Sequence, residues 1–390
     1  MKHWIRFLTL VLVLLMAGSA IAEGALNFDG EIEPEKIEEI GLLDIDDTVI
    51  TIAEPEAYPA ANAAGVKINS ANFPDKAFRS YVKAQYDKDG DGTLSPDEAN
   101  SVVEMFIGED DERFVQVKCS NMKGLKFFPN LKLLAIVRCP VKSLDVSGNT
   151  KLELLICCFT NVEKVDVSKN TRLTELNVGS SKVKTLKLGK QKHLETLVCD
   201  NNKLKLLDVT KCPNITYLQC HDNKLSELDV SKCTKLQDLY CGNNQLKALD
   251  VTRNRKLIDL WCDCNRLKTI DVTKNTKLEE FNPSENPLGQ LDITKNTKLR
   301  VLACDSNKLT SLNVSKNKKL EVLIAHSNKI KSIDIGNCPV LKKYLKKKAT
   351  IKEGHAIWFG KWEDEDYTDL LNIDKSTKLM DGNKVLYPTA

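Results

Sequence analysis

Through the middle of the chain an apolar residue returns every 21 positions without an insertion: Leu131, Leu152, Leu173, Leu194, Ile215, Leu236, Leu257, Leu278, Leu299 and Leu320. With each of these as position 1 of a unit, apolar side chains recur at positions 4, 6, 11, 14 and 16, with Asn at 9 in most central units and Asp at 15. The adjacent units "ITYLQCHDNKLSELDVSKCTK" and "LQDLYCGNNQLKALDVTRNRK" show the pattern. Alternation around positions 3 to 7 has the period of a strand, so positions 4 and 6 face inward while 3, 5 and 7 face out. So short a unit cannot enclose its own apolar face, but stacked copies bury it against one another. The expected fold is an α+β repeat solenoid of about ten 21-residue coils. Its parallel β-ladder would be roughly 45–50 Å long at about 4.8 Å per rung. Asn at position 9 falls at a bend, where its amide can pair backbone groups that the turn leaves open.

The cysteines follow the same frame. Position 6 holds Cys157, Cys199, Cys220, Cys241, Cys262 and Cys304, with Ile136, Val178 and Ala325 in other units. Interchange with small apolar residues marks a packing position. Cys212, Cys233 and Cys338 occupy position 19, elsewhere mostly Asn. Neighbouring rungs are close enough for a disulfide, but in-register side chains on parallel strands point the same way and do not readily reach its torsion. A ladder of structural thiols is expected. The C-x-C of Cys262 and Cys264 separates into an inward residue at position 6 and a solvent-facing one at position 8, so it is not read as a chelate.

Ahead of the repeats, residues 87–98 read "DKDGDGTLSPDE", the spacing of an EF-hand calcium loop. The expected Ca2+ ligands are the carboxylates of Asp87, Asp89 and Asp91, the Thr93 carbonyl, Ser95 directly or through water, and a bidentate Glu98. Gly92 allows the sharp turn. Phe78, Tyr81, Val82 and Tyr86 recur at helical spacing before the loop, with Pro74 at the helix start. Residues 95–98 read as the start of an exit helix carrying Val102, Val103 and Phe106. An acidic capping box at a surface turn is the plainer alternative. Four carboxylates converging on a Gly favour calcium, in a structural role.

The run L-x-x-L-x-C-x-x-N-x-L-x-x-L-D-V-[ST]-x-N, at residues 236–254 and 257–275, resembles the leucine-rich repeat family, in particular secreted bacterial forms related to the internalins. The segment from "NFPDKAF" through the calcium loop to "FFPNL" resembles the amino-terminal cap of gut-bacterial leucine-rich repeat proteins. The likeness spans more than half of the chain. Departures are the frequent Cys at position 6, the 21-residue unit, and Pro283 where one unit should hold that Cys. The resemblance implies recognition or adhesion.

Residues 1–22 carry Lys2 and Arg6, an apolar run over 7–16, and Ala20-Ile21-Ala22 before Glu23. That is the order of a secretory signal peptide, with an apolar run too short to span a bilayer, so an extracellular protein with no transmembrane segment is expected. The domain reading is 23–66 acidic linker, 67–130 cap with the calcium loop, 131–344 solenoid and 345–390 carboxy-terminal cap, in which Ile357, Phe359 and Trp362 alternate as a strand. A total charge of +3 conceals an asymmetry, because residues 131–343 hold 37 basic and 23 acidic residues. Lys203, Lys224, Lys232, Lys274 and Lys316 fall at loop positions away from the strand face. That Lys-rich face suits an anionic cell-wall polymer or glycan; nucleic acid is not expected, given export and interspersed carboxylates.

The outward strand positions can be read as columns. Position 3 gives Tyr217, Asp238, Asp259 and Glu280; position 5 gives Gln219, Tyr240, Trp261 and Asn282; position 7 gives His221, Gly242, Asp263 and Ser284. Aromatic rings beside carboxylates suit a protein or peptide carrying Lys or Arg, or a sugar stacking on Tyr240 and Trp261. In the first two units Leu133, Ala135, Val137, Leu154, Ile156 and Phe159 make the same face apolar, so it needs a cover. The acidic segment "IEEIGLLDIDDTVITIA", residues 37–53, is a candidate cover. His3, His193, His221, His326 and His355 are scattered, and no nucleophile elbow, phosphate loop or H-E-x-x-H occurs, so a non-enzymatic monomer is expected.

Overall fold

The computed structural model describes residues 65–109, 113–346, 371–373 and 376–387, all within one compact unit. The signal-like segment, the acidic segment proposed as a cover, and the strand expected at Ile357, Phe359 and Trp362 lie outside the described residues.

The cap begins with β1 (Val66–Lys67), α1 (Lys76–Tyr86), β2 (Thr93–Leu94), α2 (Pro96–Ser101) and β3 (Glu104–Gly108). β1 pairs antiparallel with β2 inside the 87–98 loop, Val66 opposite Leu94. Asp75, rather than Pro74, starts α1, its carboxylate accepting from the Phe78 N–H at 3.0 Å. The second oxygen of Asp75 accepts from the Ser120 N–H and hydroxyl at 2.9 and 3.0 Å, tying the helix to the turn before the first coil. The exit helix is shorter than expected. It ends at Ser101, and Phe106 lies in β3 instead. β-branched Val102 and Val103 disfavour continuation. Residues 104–108 gain more as a strand, which pairs in parallel with the first repeat and covers the ladder's edge.

The strands that follow are β4 (Leu133–Val137), β5 (Leu154–Cys158), β6 (Lys164–Asp166), β7 (Glu175–Asn177), β8 (Thr185–Lys187), β9 (Thr196–Val198) and β10 (Tyr217–Gln219). After them come β11 (Asp238–Tyr240), β12 (Asp259–Trp261), β13 (Glu280–Asn282), β14 (Val301–Ala303), β15 (Val322–Ile324) and β16 (Ser332–Asp334). β6 and β8 pair only with each other; the rest up to β15 stack in one parallel sheet. Its ten repeat rungs bound about nine coils of 21 residues. The chain closes with α3 (Pro339–Lys346), β17 (Leu371–Asn372), β18 (Lys378–Asp381) and β19 (Lys384–Tyr387). β17 extends the ladder beyond β15, while β18 and β19 join β16 in a three-stranded sheet. Lys342 Nζ reaches Asp381 at 2.9 Å across that closure.

Each unit position has a physical duty. Positions 1 and 4 are fully buried in all ten units. Position 6 is buried throughout, confirming the inward orientation of its cysteines, and no two of those position 6 sulfurs are bonded. Position 9 works as expected: Asn223 donates to the Cys199, Cys220 and His221 carbonyls, while its oxygen accepts from the Leu204 N–H at 2.9 Å. Position 19 repeats the device, Asn275 donating to the Val251 and Asn254 carbonyls at 3.0 and 2.8 Å. Asp at 15 closes an Asx turn; Asp250 accepts from the N–H and hydroxyl of Thr252 at 2.9 and 2.6 Å. Position 8 is left-handed in every unit, from Arg138 at φ 50° to Ser327 at φ 53°. Pro283 at position 6 cannot supply the N–H by which Cys262 reaches the Asn282 carbonyl and Cys304 the Ile324 carbonyl. The paired register there shortens to two residues, and the fold is otherwise unchanged.

Candidate functional site

The strict register of the ladder sets the outer face. Tyr217 pairs with Asp238 and then Asp259 and Glu280, while Gln219 pairs with Tyr240 and Trp261. The Tyr217 and Tyr240 rings lie 5.5 Å apart across a diagonal, and Tyr240 meets its register partner Trp261 edge-on at 5.6 Å, so three rings run across three rungs. All three are partly exposed, as are Asp238, Asp259, Asp263 and Glu280. The Tyr240 hydroxyl donates to Asp259 at 3.4 Å. Burial first, then the neighbouring carboxylates, push both tyrosine hydroxyls well above their ordinary pKa, so they remain donors.

Beside the rings runs a hydrogen-bonded chain that the columns alone did not reveal. Tyr217 donates to Gln219 Oε1 at 2.6 Å, Gln219 Nε2 meets His221 Nε2 at 3.0 Å, and His221 Nδ1 meets Asp222 at 2.5 Å. Asn243 donates to the other oxygen of Asp222. Gln219 is therefore a buried connector rather than an open contact residue. Both ring nitrogens of His221 are committed, leaving none to act as a general base. Cys241, its conceivable nucleophile, is fully buried, and burial holds its thiol pKa far above the ordinary range.

Position 7 forms a column of its own: Asp200, His221, Gly242, Asp263, Ser284, Asp305 and His326. Gly242 leaves a notch that the Asp263 carboxylate enters; a Cβ on Gly242 would lie 2.6 Å from its Oδ1. Burial raises the pKa of Asp263 to about 6, and that of Asp200, which is 2% exposed, also to about 6. Desolvation opposes the charge on His221, but Asp222 and Asp200, the latter at 3.9 Å, outweigh it and raise the imidazole pKa. Toward the amino-terminal end the face is closed: Ala135 and Val137 are 0% exposed and Ile156 1%, although they lie outside the main core cluster. The expected Lys positions, Lys203, Lys224, Lys232, Lys274 and Lys316, are all exposed.

At the cap, Asp87, Asp89 and Asp91 bring one oxygen each to within 4.8 Å of one another. Asp87 Oδ1 is buried without a hydrogen-bond partner, while Asp87 Oδ2 accepts from the Gly92 N–H at 3.1 Å. Gly92 sits at φ 79°, as the turn requires. Glu98 folds back onto the loop, accepting from the Lys88 N–H at 2.6 Å and from the N–H and hydroxyl of Ser95 at 2.8 Å. Ser95 in turn caps α2, so the capping box and the loop use the same residues. Thr93 lies in β2 directly after the acidic turn. Three converging carboxylates with one orphaned buried oxygen make a donor set of the kind that hard divalent cations take.

These geometries define a leucine-rich repeat solenoid, a scaffold typical of protein-binding and recognition domains. The family model for leucine-rich repeats in two copies matches residues 213–254. The functional domain of InlJ from Listeria monocytogenes, which includes a cysteine ladder, is 26% identical over 71% of this chain and 69% of its own, with a TM-score of 0.50. An internalin, InlF, from the same species superposes at a TM-score of 0.60, with 17% identity over 82% and 87% of the two chains. The leucine-rich repeat ectodomain of the Arabidopsis thaliana receptor kinase GASSHO1/SCHENGEN3, in complex with Casparian strip integrity factor 2, matches 57% of this chain and 30% of its own at 21% identity and a TM-score of 0.50. No curated protein matches the chain. The chain is thus a leucine-rich repeat protein with internalins among its structural neighbours. No helix among the described residues is long and apolar enough to cross a membrane.

Proposed function

We propose that the protein is exported and recognises an extracellular protein or peptide through the ring strip Tyr217, Tyr240 and Trp261, with Asp238, Asp259, Asp263 and Glu280 receiving Lys or Arg side chains. The observation that carries this reading is the run of three partly exposed rings on consecutive rungs, each no more than 5.6 Å from the next. Aromatic surfaces supply contact area at low entropic cost, and flanking carboxylates select cationic groups by charge and cation–π attraction. The ectodomain neighbour solved with a bound factor supports the use of this fold for such a task. A glycan stacking on Tyr240 and Trp261 is the second reading, favoured by the edge-on pair of rings. The EF-hand-like loop is proposed to hold a structural Ca2+ on Asp87, Asp89, Asp91 and Glu98, with the Thr93 carbonyl and Ser95 completing the shell.

The test is an array of basic peptides, extracellular proteins and glycans probed with the wild type and with Tyr240→Ala/Trp261→Ala. Loss of at least tenfold in affinity on the variant supports the strip. Hits that survive the variant but vanish in salt would move the site to the Lys-rich face.

A further inference from the structure

Cys139 occupies position 9, where later units carry the turn-pairing Asn. Its sulfur copies that role, lying 3.0 Å from the Val117 carbonyl and 3.4 Å from the Cys119 carbonyl. Cys119 belongs to the turn between β3 and the first coil, and its sulfur lies 3.5 Å from Cys139 Sγ and 3.3 Å from Met122 Sδ. Both residues are at most 1% exposed, inside the core cluster. We propose that Cys119 and Cys139 are a disulfide site, oxidised while the chain folds, that staples the calcium-loop cap to the first coil.

The two sulfurs face each other from a turn and a bend, not from in-register rungs, and need to close by only about 1.5 Å to reach bonding distance. Position 6 differs, because Cys220, Cys241 and Cys262 repeat one inward direction on successive rungs. The chemistry balances with a small disulfide as oxidant. The Cys139 thiolate attacks one sulfur of oxidised glutathione, breaking its S–S bond and releasing one glutathione thiolate. Cys119, after giving its proton to solvent, attacks the Cys139 sulfur of the mixed disulfide and expels the second glutathione. Two protein thiols are oxidised and one disulfide is reduced. The staple adds to existing ties, since Ser120, next to Cys119, is already held by Asp75 at the head of α1. The proposal rests on the export reading only for the source of oxidant, and the test supplies its own.

The full-length chain is unfolded under reduction, refolded in oxidised and reduced glutathione, alkylated in denaturant without reduction, and digested with trypsin. Cleavage after Lys118, Lys123, Arg138 and Lys142 isolates Cys119 and Cys139 on separate short peptides. The expected product is these two peptides joined and two mass units lighter than their sum, with Cys199, Cys220, Cys241 and Cys262 alkylated. Recovery of both peptides singly alkylated, or joined to other cysteines, would overturn the proposal. A phosphine reductant should lower the Tm of the refolded wild type and leave Cys139→Ser unmoved; an equal response of both would count against the staple even if the peptides are joined.

Discussion

Asp200 shows most directly how one residue carries an energetic load. Its carboxyl is 2% exposed, one oxygen has no hydrogen-bond partner, and burial raises its pKa from 3.8 to about 6. The folded chain therefore holds a proton there that the unfolded chain has already released, so stability is full below about pH 4 and falls as pH rises toward 6. The difference is worth roughly 3 kcal/mol at neutral pH. Asp200→Asn should raise the Tm at pH 7.5 and leave it unchanged at pH 4; equal effects at both would remove the buried charge as the cause. Cys264 offers a second case. As a non-Gly residue at φ 49° it pays the left-handed penalty that Asn201 and Asn243 tolerate at the same position. Cys264→Asn should stabilise by about 0.5–1 kcal/mol in denaturant titration, with an unchanged m-value.

Among the elements, the acidic loop 87–98 links the cap to the solenoid. β1 clamps it, Ser95 caps α2 with Glu98 closing the capping box and accepting from the Lys88 N–H, and the strand that follows opens the ladder. Saturating calcium at about a hundredfold over Kd should stabilise the cap by about 2.7 kcal/mol. Isothermal titration of Asp87→Ala/Glu98→Ala should show no binding heat, and a heat equal to the wild type's would dismiss the site. Much of this architecture was legible in the residues. The uninterrupted 21-residue period fixes register, so the columns at Tyr217 and Tyr240 could be read before any coordinates. The start of β3 was not, because Val102, Val103 and Phe106 suit helix and strand alike, and pairing with β4 decided the matter. The Tyr217–Gln219–His221–Asp222 chain was also hidden, since it depends on side-chain rotation that a column of letters does not encode. Position 7 gave the available signal, holding Asp or His at Asp200, His221, Asp263, Asp305 and His326.

For the molecule as a whole, the two faces of the solenoid would respond to salt in different ways. Residues 131–343 carry a net +14, and the exposed Lys columns lie apart from the ring strip. Raising ionic strength from 0.05 to about 0.5 M shortens the screening length severalfold, so partners drawn by the Lys columns should weaken steeply. Binding centred on Tyr240 and Trp261 should lose the part that the flanking carboxylates supply but keep the part from ring contact, so its salt dependence should be shallower, and surface plasmon resonance across that range separates the two.

Pro283 gives this regular stack a point of mechanical failure. Each neighbouring coil is latched by a position 6 N–H, and at this rung the latch is absent. A pull along the solenoid axis should part the coils between β13 and β14 first. Tension on a protein held at both ends would therefore be released just beyond the ring strip, with Tyr217, Tyr240 and Trp261 still together on one intact fragment.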